Sequence, residues 1–246
     1  MADDPAVVRA AAPWRELAAV PVAFGAAGEA EVVVSPGSRL CPPGWVGVVV
    51  LGGAAVVTAP TQETADRIRA AVAGVPAGRL GDPAVFTRAF PLGRVLGPAA
   101  LAYVSAAGFR PAAGDADPDA GVERPERLPA GHPDLTGLHR AAGRADADEA
   151  GLDEITSPAF AVRVDGRIAA AAGYCRWPGR TAHLAVLTAP ALRGRGLARA
   201  AASAAVRHAL ARDLLPQWRA RVPASRRVAA ALGFTELGVQ LSVEPL

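Results

Sequence analysis

The sequence of 246 residues contains no lysine and no asparagine, and it has only two cysteines and one methionine. Every strongly basic side chain is therefore arginine, a bias that GC-rich codons explain. The two cysteines, Cys41 and Cys175, offer no metal-ligand spacing and no disulfide framework, so we expect no metal. Hydrophobic residues make up 51% and charged residues 20%, which indicates a globular chain large enough to bury a core.

Long apolar runs are also missing. The longest notable run, 46–57, is interrupted by Gly52 and Gly53 and is too short to cross a membrane. Residues 1–5 are acidic where a signal peptide would be basic. We therefore expect a cytoplasmic protein without a membrane partner. The net charge of +3 is weak evidence for nucleic acid, because modest positive charge also suits an anionic cofactor.

The most informative stretch is 184–205. It begins with an apolar segment of strand length, 184–188, which Pro190 ends. The loop 193–198 contains two glycines, and an alanine-rich helical pattern follows it. Glycines let the backbone approach a ligand, while the first N–H groups of a helix lack internal partners and favour an anion. The stretch therefore predicts a phosphate-binding loop.

The same loop carries a family resemblance. Arg193-x-x-Gly196-x-Ala198 resembles the (Gln/Arg)-x-x-Gly-x-(Gly/Ala) signature of the GCN5-related N-acetyltransferase (GNAT) superfamily. Segment 225–234, a predicted helix ending in Leu-Gly-Phe, resembles the last helix of that superfamily and its junction. The resemblance covers the C-terminal half. It implies the GNAT acyl-CoA N-acyltransferase fold and binding of the acetyl-CoA pyrophosphate, with acetyl-CoA as the acyl donor.

The resemblance also implies two sets of donor contacts. Main-chain groups of the strand before the loop would polarise the thioester carbonyl and pair with the pantetheine arm; these belong to Val186, Leu187 and Thr188. One such oxyanion donor is typically worth about 2.7–4 kcal/mol in the barrier. The residues expected at the phosphates and the cofactor are Arg193, Gly194, Arg195, Gly196, Leu197, Ala198 and Ser225. For Ser225, capping of the last helix is an alternative that needs no cofactor.

The catalytic groups follow the family pattern less closely. His183, at the start of the strand, can accept the proton of an amine, or it is a simple strand-end residue. Glu154, in the acidic segment 146–154, precedes the first strand of this half in a region that lines the acceptor pocket in related proteins; its alternatives are a helix cap or a solvated turn. The usual tyrosine acid is replaced by Ala229. The thiolate then leaves unprotonated, or water or Tyr174 protonates it.

Turn signals and periodicity predict an α/β fold with a mixed sheet. In the first part we expect strands at 29–35, 46–51, 54–58 and 100–105 and a helix at 61–72. In the second part we expect helices at 134–143, 197–211 and 224–232 and strands at 159–164, 168–177, 183–188, 217–222 and 234–243. The helix, hairpin, strand, helix, strand, helix, strand order of this part is the order of the GNAT fold.

Composition divides the chain into three parts. Residues 1–110 form a predicted smaller α+β domain of unknown role, 111–133 a linker rich in Ala, Asp, Gly, Pro and Glu, and 134–246 the GNAT domain. Alternatively, residues 1–110 are a degenerate copy of the same acyltransferase fold, although no internal sequence repeat supports this interpretation.

The leading functional hypothesis is an N-acetyltransferase that moves an acetyl group from acetyl-CoA to an amine by direct attack in a ternary complex. The acidic segment 146–154 favours a cationic small molecule or a peptide amine as acceptor. One alternative is an acyltransferase with another donor, either a longer acyl-CoA or an aminoacyl-tRNA, the one nucleic acid expected as a partner. A second alternative is a non-catalytic acyl-CoA-binding regulator. The oligomeric state is left open.

Overall fold

The computed structural model describes residues 4–112 and 124–246. The protein is a mixed α/β protein with parallel and antiparallel strand pairs, which confirms the predicted fold class. Its α-helices are α1 Pro5–Leu17, α2 Gln62–Val72, α3 Leu135–Ala142, α4 Arg144–Ala150, α5 Leu197–Leu210 and α6 Pro223–Ala231. Its strands are β1 Ala30–Val34, β2 Val46–Leu51, β3 Ala54–Ala59, β4 Leu92–Tyr103, β5 Glu126–Leu128, β6 Ala159–Val164, β7 Arg167–Trp177, β8 Thr181–Thr188, β9 Leu215–Ala220 and β10 Thr235–Pro245.

The chain divides into two compact units that are not contiguous in sequence. The first takes residues up to Ala102 together with Arg219–Val222 and Glu236–Leu246. The second takes Tyr103–Trp218 and Pro223–Thr235. No helix in the described ranges combines the length and the apolar character that a bilayer crossing requires.

The first unit has the strand order β1-β3-β2-β10-β4. Strands β2 and β3 form the predicted hairpin, because Gly52 and Gly53 adopt the positive φ values of 58° and 86° that a tight two-residue turn requires. Helix α2 begins where predicted, since the hydroxyl of Thr61 accepts a hydrogen bond from the Thr64 amide at 3.1 Å. Valines of β2 and β3 and the apolar side of α2 form the core of this unit.

The last strand, β10, pairs antiparallel with β2, and Gly238 lies opposite Leu51. It therefore completes the first unit, although it follows the last helix of the second unit in sequence. The sequence-based division at 111–133 stays a prediction, and 113–123 of that linker lie outside the described residues.

The second unit has the strand order β9-β8-β7-β6-β5. Apart from α4, its elements from α3 to α6 follow the predicted order, with the β6–β7 hairpin closed by Asp165 and Gly166 at φ values of 50° and 73°. Buried side chains of α3 pack with alternate residues of β6, β7 and β8, among them Leu138, Ala171 and Leu187. Helix α5 packs against the same three strands, so the sheet of this unit is covered by helices.

Two strands differ from the prediction, and the short helix α4 is an addition to it. Strand β4 begins at Leu92 rather than at residue 100, because Gly93, Gly97 and Pro98 interrupt the apolar pattern that would have revealed it. Strand β5 lies inside the predicted linker and pairs with β6, with Leu128 opposite Ala159. Three residues carry no readable periodicity of their own, so only the pairing partner defines this strand.

Candidate functional site

Strand β8 is bonded along its whole length on one side and over a short stretch on the other. Its antiparallel pairing with β7 runs from Thr181 to Thr188. Its parallel pairing with β9 covers three pairs and ends where His183 lies opposite Gln217. Beyond that point, the main-chain groups of Leu184–Thr188 on the β9 side have no strand partner among the described residues. An open stretch of strand edge results, available to an extended ligand.

The loop after β8 is shaped by two glycines. Gly194 and Gly196 have φ values of 80° and 78°, and a Cβ at either position would have no neighbour within 4 Å. The left-handed backbone, rather than crowding, therefore accounts for glycine at both positions. Arg193 forms an ion pair with Asp146 of α4, with Nη2 and Oδ2 2.6 Å apart. Arg195 is exposed and forms no ion pair with a described residue.

Helix α5 starts directly after this loop without a side-chain cap. Gly196 is its N-cap residue, so the first-turn N–H groups of Leu197 and Ala198 receive no side-chain acceptor. Two buried polar atoms, Oγ1 of Thr188 and Nε of Arg199, also lack a hydrogen-bond partner among the described residues. Arg199 is half-exposed as a whole. Polar groups without a hydrogen-bond partner among the described residues therefore lie at the end of β8 and at the start of α5.

Strand register separates the candidate catalytic groups between two faces of the sheet. His183 lies opposite Cys175, and Tyr174 lies opposite Leu184. Directly opposed residues point to the same face, and neighbours along a strand alternate. His183 therefore shares a face with Ala185, which packs in the α3 core, whereas Tyr174 lies on the face that α5 covers.

The imidazole of His183 is held by two side chains. Its ring stacks on Trp177 with centroids 4.1 Å apart and planes inclined by 17°. Its Nδ1 lies 2.8 Å from Oε1 of Gln217. The Nε2 atom of Gln217 in turn donates to Oη of Tyr103 at 3.2 Å. His183 is therefore an ordered, half-buried group and not a loose residue at the strand end.

Glu154 lies at the end of the 3-10 helix Leu152–Glu154 and is exposed. Its carboxylate makes no hydrogen bond or ion pair with a described residue, and it lies close enough to Cys175 to affect that thiol. Burial, and then the negative charge of Glu154, raise the pKa of the Cys175 thiol. Since Cys175 lies directly opposite His183 on β8, the charge of Glu154 acts on the face of the sheet that carries His183.

Tyr174 is buried, and its hydroxyl lies 3.0 Å from Nδ1 of His208 on α5. Burial raises the pKa of Tyr174. Burial and the nearby arginines, of which Arg212 has the largest effect, lower the pKa of His208. His208 also packs on Phe160, with ring centroids 5.2 Å apart. The role of Tyr174 as the general acid stays a prediction, and its hydroxyl is engaged with His208.

The last helix differs in detail from the expectation. Helix α6 begins at Pro223, so Ser225 lies inside it and is not its cap; the serine hydroxyl accepts a hydrogen bond from Nε1 of Trp218 at 2.9 Å. Ala229 is buried and offers no proton donor. Gly233 has a φ of 88°, and a Cβ there would overlap the backbone carbonyl of Gly108, so glycine is required at the junction.

Two residues near the site, Gln217 and Tyr103, were missed from sequence, and a third, Asp146, was assigned another role. Gln217, a fully buried amide in β9, gives a weak signal as a polar residue in a run of strand length. Tyr103 lies 114 residues from Gln217, and nothing local connects the two. Asp146 was assigned with the acidic segment to a cationic substrate, but it binds Arg193. Across residues 4–112 and 124–246, no group of three or more His, Cys, Asp and Glu could hold a metal ion.

An open strand edge thus leads through a glycine loop into an uncapped helix, a geometry suited to a phosphate-containing ligand. The model of the GNAT acetyltransferase family matches residues 158–238, which include β6 to α6. No curated protein matches the sequence significantly.

Solved GNAT structures resemble the chain at low identity. A GCN5-related N-acetyltransferase from Kribbella flavida is 18% identical, with a TM-score of 0.47 over 66% of this chain and 63% of that one. An N-acetyltransferase-like protein from Streptococcus suis is 22% identical, with a TM-score of 0.44 over 61% of each chain. A GNAT acetyltransferase from Colwellia psychrerythraea is 19% identical, with a TM-score of 0.44 over 63% and 58%. The chain spans less than two thirds of each of these structures.

Proposed function

We propose that this chain is an N-acyltransferase that uses acetyl-CoA as donor and an amine as acceptor. The observation that carries the proposal is the end of β8–β9 pairing at His183 and Gln217. The strand edge beyond it can bond the amide groups of a pantetheine arm, because a strand edge presents alternating N–H and C=O groups. The family match to residues 158–238 supports the same assignment.

The donor's phosphates would lie at the start of α5. The N–H groups of the loop and of the first turn of α5 are available there, and the arginines Arg193, which is paired with Asp146, and Arg195 add positive charge. The unpartnered hydroxyl of Thr188 fits a polar group of the ligand, since a buried hydroxyl without a partner costs free energy in the free protein. Main-chain groups of Val186, Leu187 and Thr188 remain our proposal for the thioester and the pantetheine.

In the proposed reaction the amine nitrogen attacks the thioester carbonyl carbon, and the carbon–sulfur bond then breaks to release the CoA thiolate. The proton of the amine passes to His183 or Glu154, which approach the same face, directly or through water. Tyr174 lies on the other face, so we assign it to protonation of the sulfur rather than to the amine. The carboxylate of Glu154 can also attract a cationic acceptor.

The proposal is tested by calorimetric titration of acetyl-CoA into the wild type and Gly196→Trp. The substitution places a large side chain in the loop but meets no protein atom within 4 Å, so we expect a folded protein that has lost binding. Gly131→Trp is the matched control, because Gly131 has a φ of 70° and equally open surroundings outside the loop. Failure of the wild type to bind, or equal loss in both variants, would contradict the phosphate-loop assignment.

A non-catalytic acyl-CoA-binding regulator is the second candidate, favoured by Ala229, which leaves the usual position of the acid without a proton donor. Turnover separates the two. Release of free CoA from acetyl-CoA in the presence of an amine, abolished when both Glu154 and His183 are replaced, would support the enzyme. Binding of acetyl-CoA without turnover across a panel of amines would support the regulator. Binding of aminoacyl-tRNA that weakens steeply with salt would support an acyltransferase with that donor instead.

A further inference from the structure

Gln217 is fully buried in β9, where a primary amide is costly unless both of its polar ends are bonded. Both ends are bonded. Nε2 donates to Oη of Tyr103 at 3.2 Å, and Oε1 lies 2.8 Å from Nδ1 of His183. All three residues belong to the second unit.

These contacts determine which ring nitrogen of His183 carries the proton. An amide oxygen can only accept a hydrogen bond, so Nδ1 must be the donor in the contact with Gln217. In the neutral ring the other nitrogen, Nε2, then holds the lone pair. In this orientation of the amide, its NH₂ group faces the Tyr103 hydroxyl and its oxygen faces the imidazole.

A second contact fixes the plane of the same ring. Trp177 of β7 stacks on the imidazole at 4.1 Å with an angle of 17° between the planes. The hydrogen bond to Gln217 acts within the ring plane, so the two contacts together restrict both the tilt and the rotation of the ring. A base whose ring and proton are both held in place is arranged for proton transfer before the substrate arrives.

We propose that Gln217 is a positioning residue, which holds His183 as the Nδ1–H tautomer so that Nε2 accepts the proton of the attacking amine. The Tyr103 hydroxyl satisfies the other end of the Gln217 amide in this arrangement. This inference rests on the proposed acyltransferase function with His183 as its base. In the step itself, the amine proton moves to the lone pair of Nε2, the carbon–nitrogen bond forms, and the carbon–sulfur electron pair leaves with the thiolate.

The chain offers variants that separate positioning from folding. Gln217→Leu removes both polar contacts at similar volume, whereas Gln217→Glu keeps an acceptor for Nδ1–H and can accept a hydrogen bond from the Tyr103 hydroxyl. Gln240→Leu is the matched control, because Gln240 is also a buried glutamine that bonds through both ends, to Leu40 and Arg219, in the first unit.

The deciding measurement is nitrogen NMR of the histidine rings in the full-length protein at a pH where imidazole is neutral, with the His183 signals assigned from a His183→Ala spectrum. We expect a protonated Nδ1 and an unprotonated Nε2 in the wild type, Gln217→Glu and Gln240→Leu. Gln217→Leu should lose this pattern. A wild-type His183 protonated at Nε2, or an unchanged pattern in Gln217→Leu, would overturn the inference without any reference to activity.

Turnover is measured on the same variants with acetyl-CoA and an amine. Gln217→Leu should reduce kcat about 10- to 100-fold, less than the about 100- to 10,000-fold worth of a general base, with acetyl-CoA affinity unchanged and partial rescue by Gln217→Glu. Undiminished turnover in His183→Ala overturns the positioning role while the acyltransferase assignment survives. If the wild type shows no turnover with any amine, that result counts against the proposed function. The NMR pattern then still shows whether Gln217 fixes the tautomer of His183.

Discussion

Replacing Thr188 by valine tests whether the end of β8 is built for a ligand rather than for stability. Oγ1 of Thr188 is buried and has no hydrogen-bond partner among the described residues. Valine has nearly the same shape and an equal preference for strands, so the substitution changes little except the hydroxyl. Thr181 of the same strand provides the control, because it is fully buried but donates a hydrogen bond of 3.5 Å to the Gly179 carbonyl.

The two variants are expected to change stability in opposite directions. An unsatisfied buried hydroxyl costs about 1–3 kcal/mol, and Thr188 is only half-buried as a whole, so Thr188→Val should increase the free energy of unfolding by about 1 kcal/mol. Thr181→Val removes a long hydrogen bond and should decrease it by about 0.5–1.5 kcal/mol. For a chain of this size, 1 kcal/mol corresponds to a shift in Tm of about 2–4 °C.

Thr188→Val should stabilise the free protein but weaken its binding of acetyl-CoA. If acetyl-CoA supplies the missing partner, Thr188→Val loses one hydrogen bond of about 0.5–1.5 kcal/mol, which raises the Kd about 2- to 12-fold, whereas Thr181→Val leaves the Kd unchanged. Thermal and urea unfolding measure the first effect and calorimetric titration the second. A Thr188→Val protein that is less stable than the wild type and binds equally well would refute the reasoning.

Three further predictions concern the junction, a thiol and a histidine. In chemical unfolding, Gly233→Ala should lower the free energy of unfolding by about 2–5 kcal/mol, because its Cβ overlaps a carbonyl and its backbone is left-handed. Gly131→Ala has only the left-handed backbone and should lower it by about 1–2 kcal/mol. Burial raises the pKa of Cys41 to about 11, so its alkylation in a Cys175→Ser protein should accelerate about tenfold per pH unit up to that value. The lowered pKa of His208 means that the unfolded chain binds its proton first, so stability should fall as the pH decreases below 6.5.

Each of these has an outcome that contradicts it. Equal losses in the two alanine variants would show that the Gly108 carbonyl moves aside at no cost. Alkylation of Cys41 that levels off near pH 9, the ordinary thiol value, would show that the side chain is solvated. For His208, the contrary result is a ring-proton titration midpoint at or above 6.5, with a pH dependence of unfolding that His208→Gln leaves unaltered.

Much of the second unit could be predicted from the sequence, because the signals are local. The turns at Asp165–Gly166 and the loop 193–198 need left-handed backbone, which glycine supplies at little cost, so the residue type and the geometry occur together. Helix α5 follows from an apolar side of alanines and leucines with helical spacing. Local conformational preference therefore determined the strand, loop and helix of the candidate phosphate site.

Tertiary structure decided what no short window contains. The pairing of β10 with β2 joins residues far apart in sequence, and β5 exists only because β6 supplies its hydrogen bonds. The surroundings of His183 have the same origin, since Gln217 reaches it across β8–β9 pairing and Tyr103 arrives from β4. A side chain's chemistry can be read from its identity, but its partners depend on which strands become neighbours, and that choice is made by burial over the whole unit.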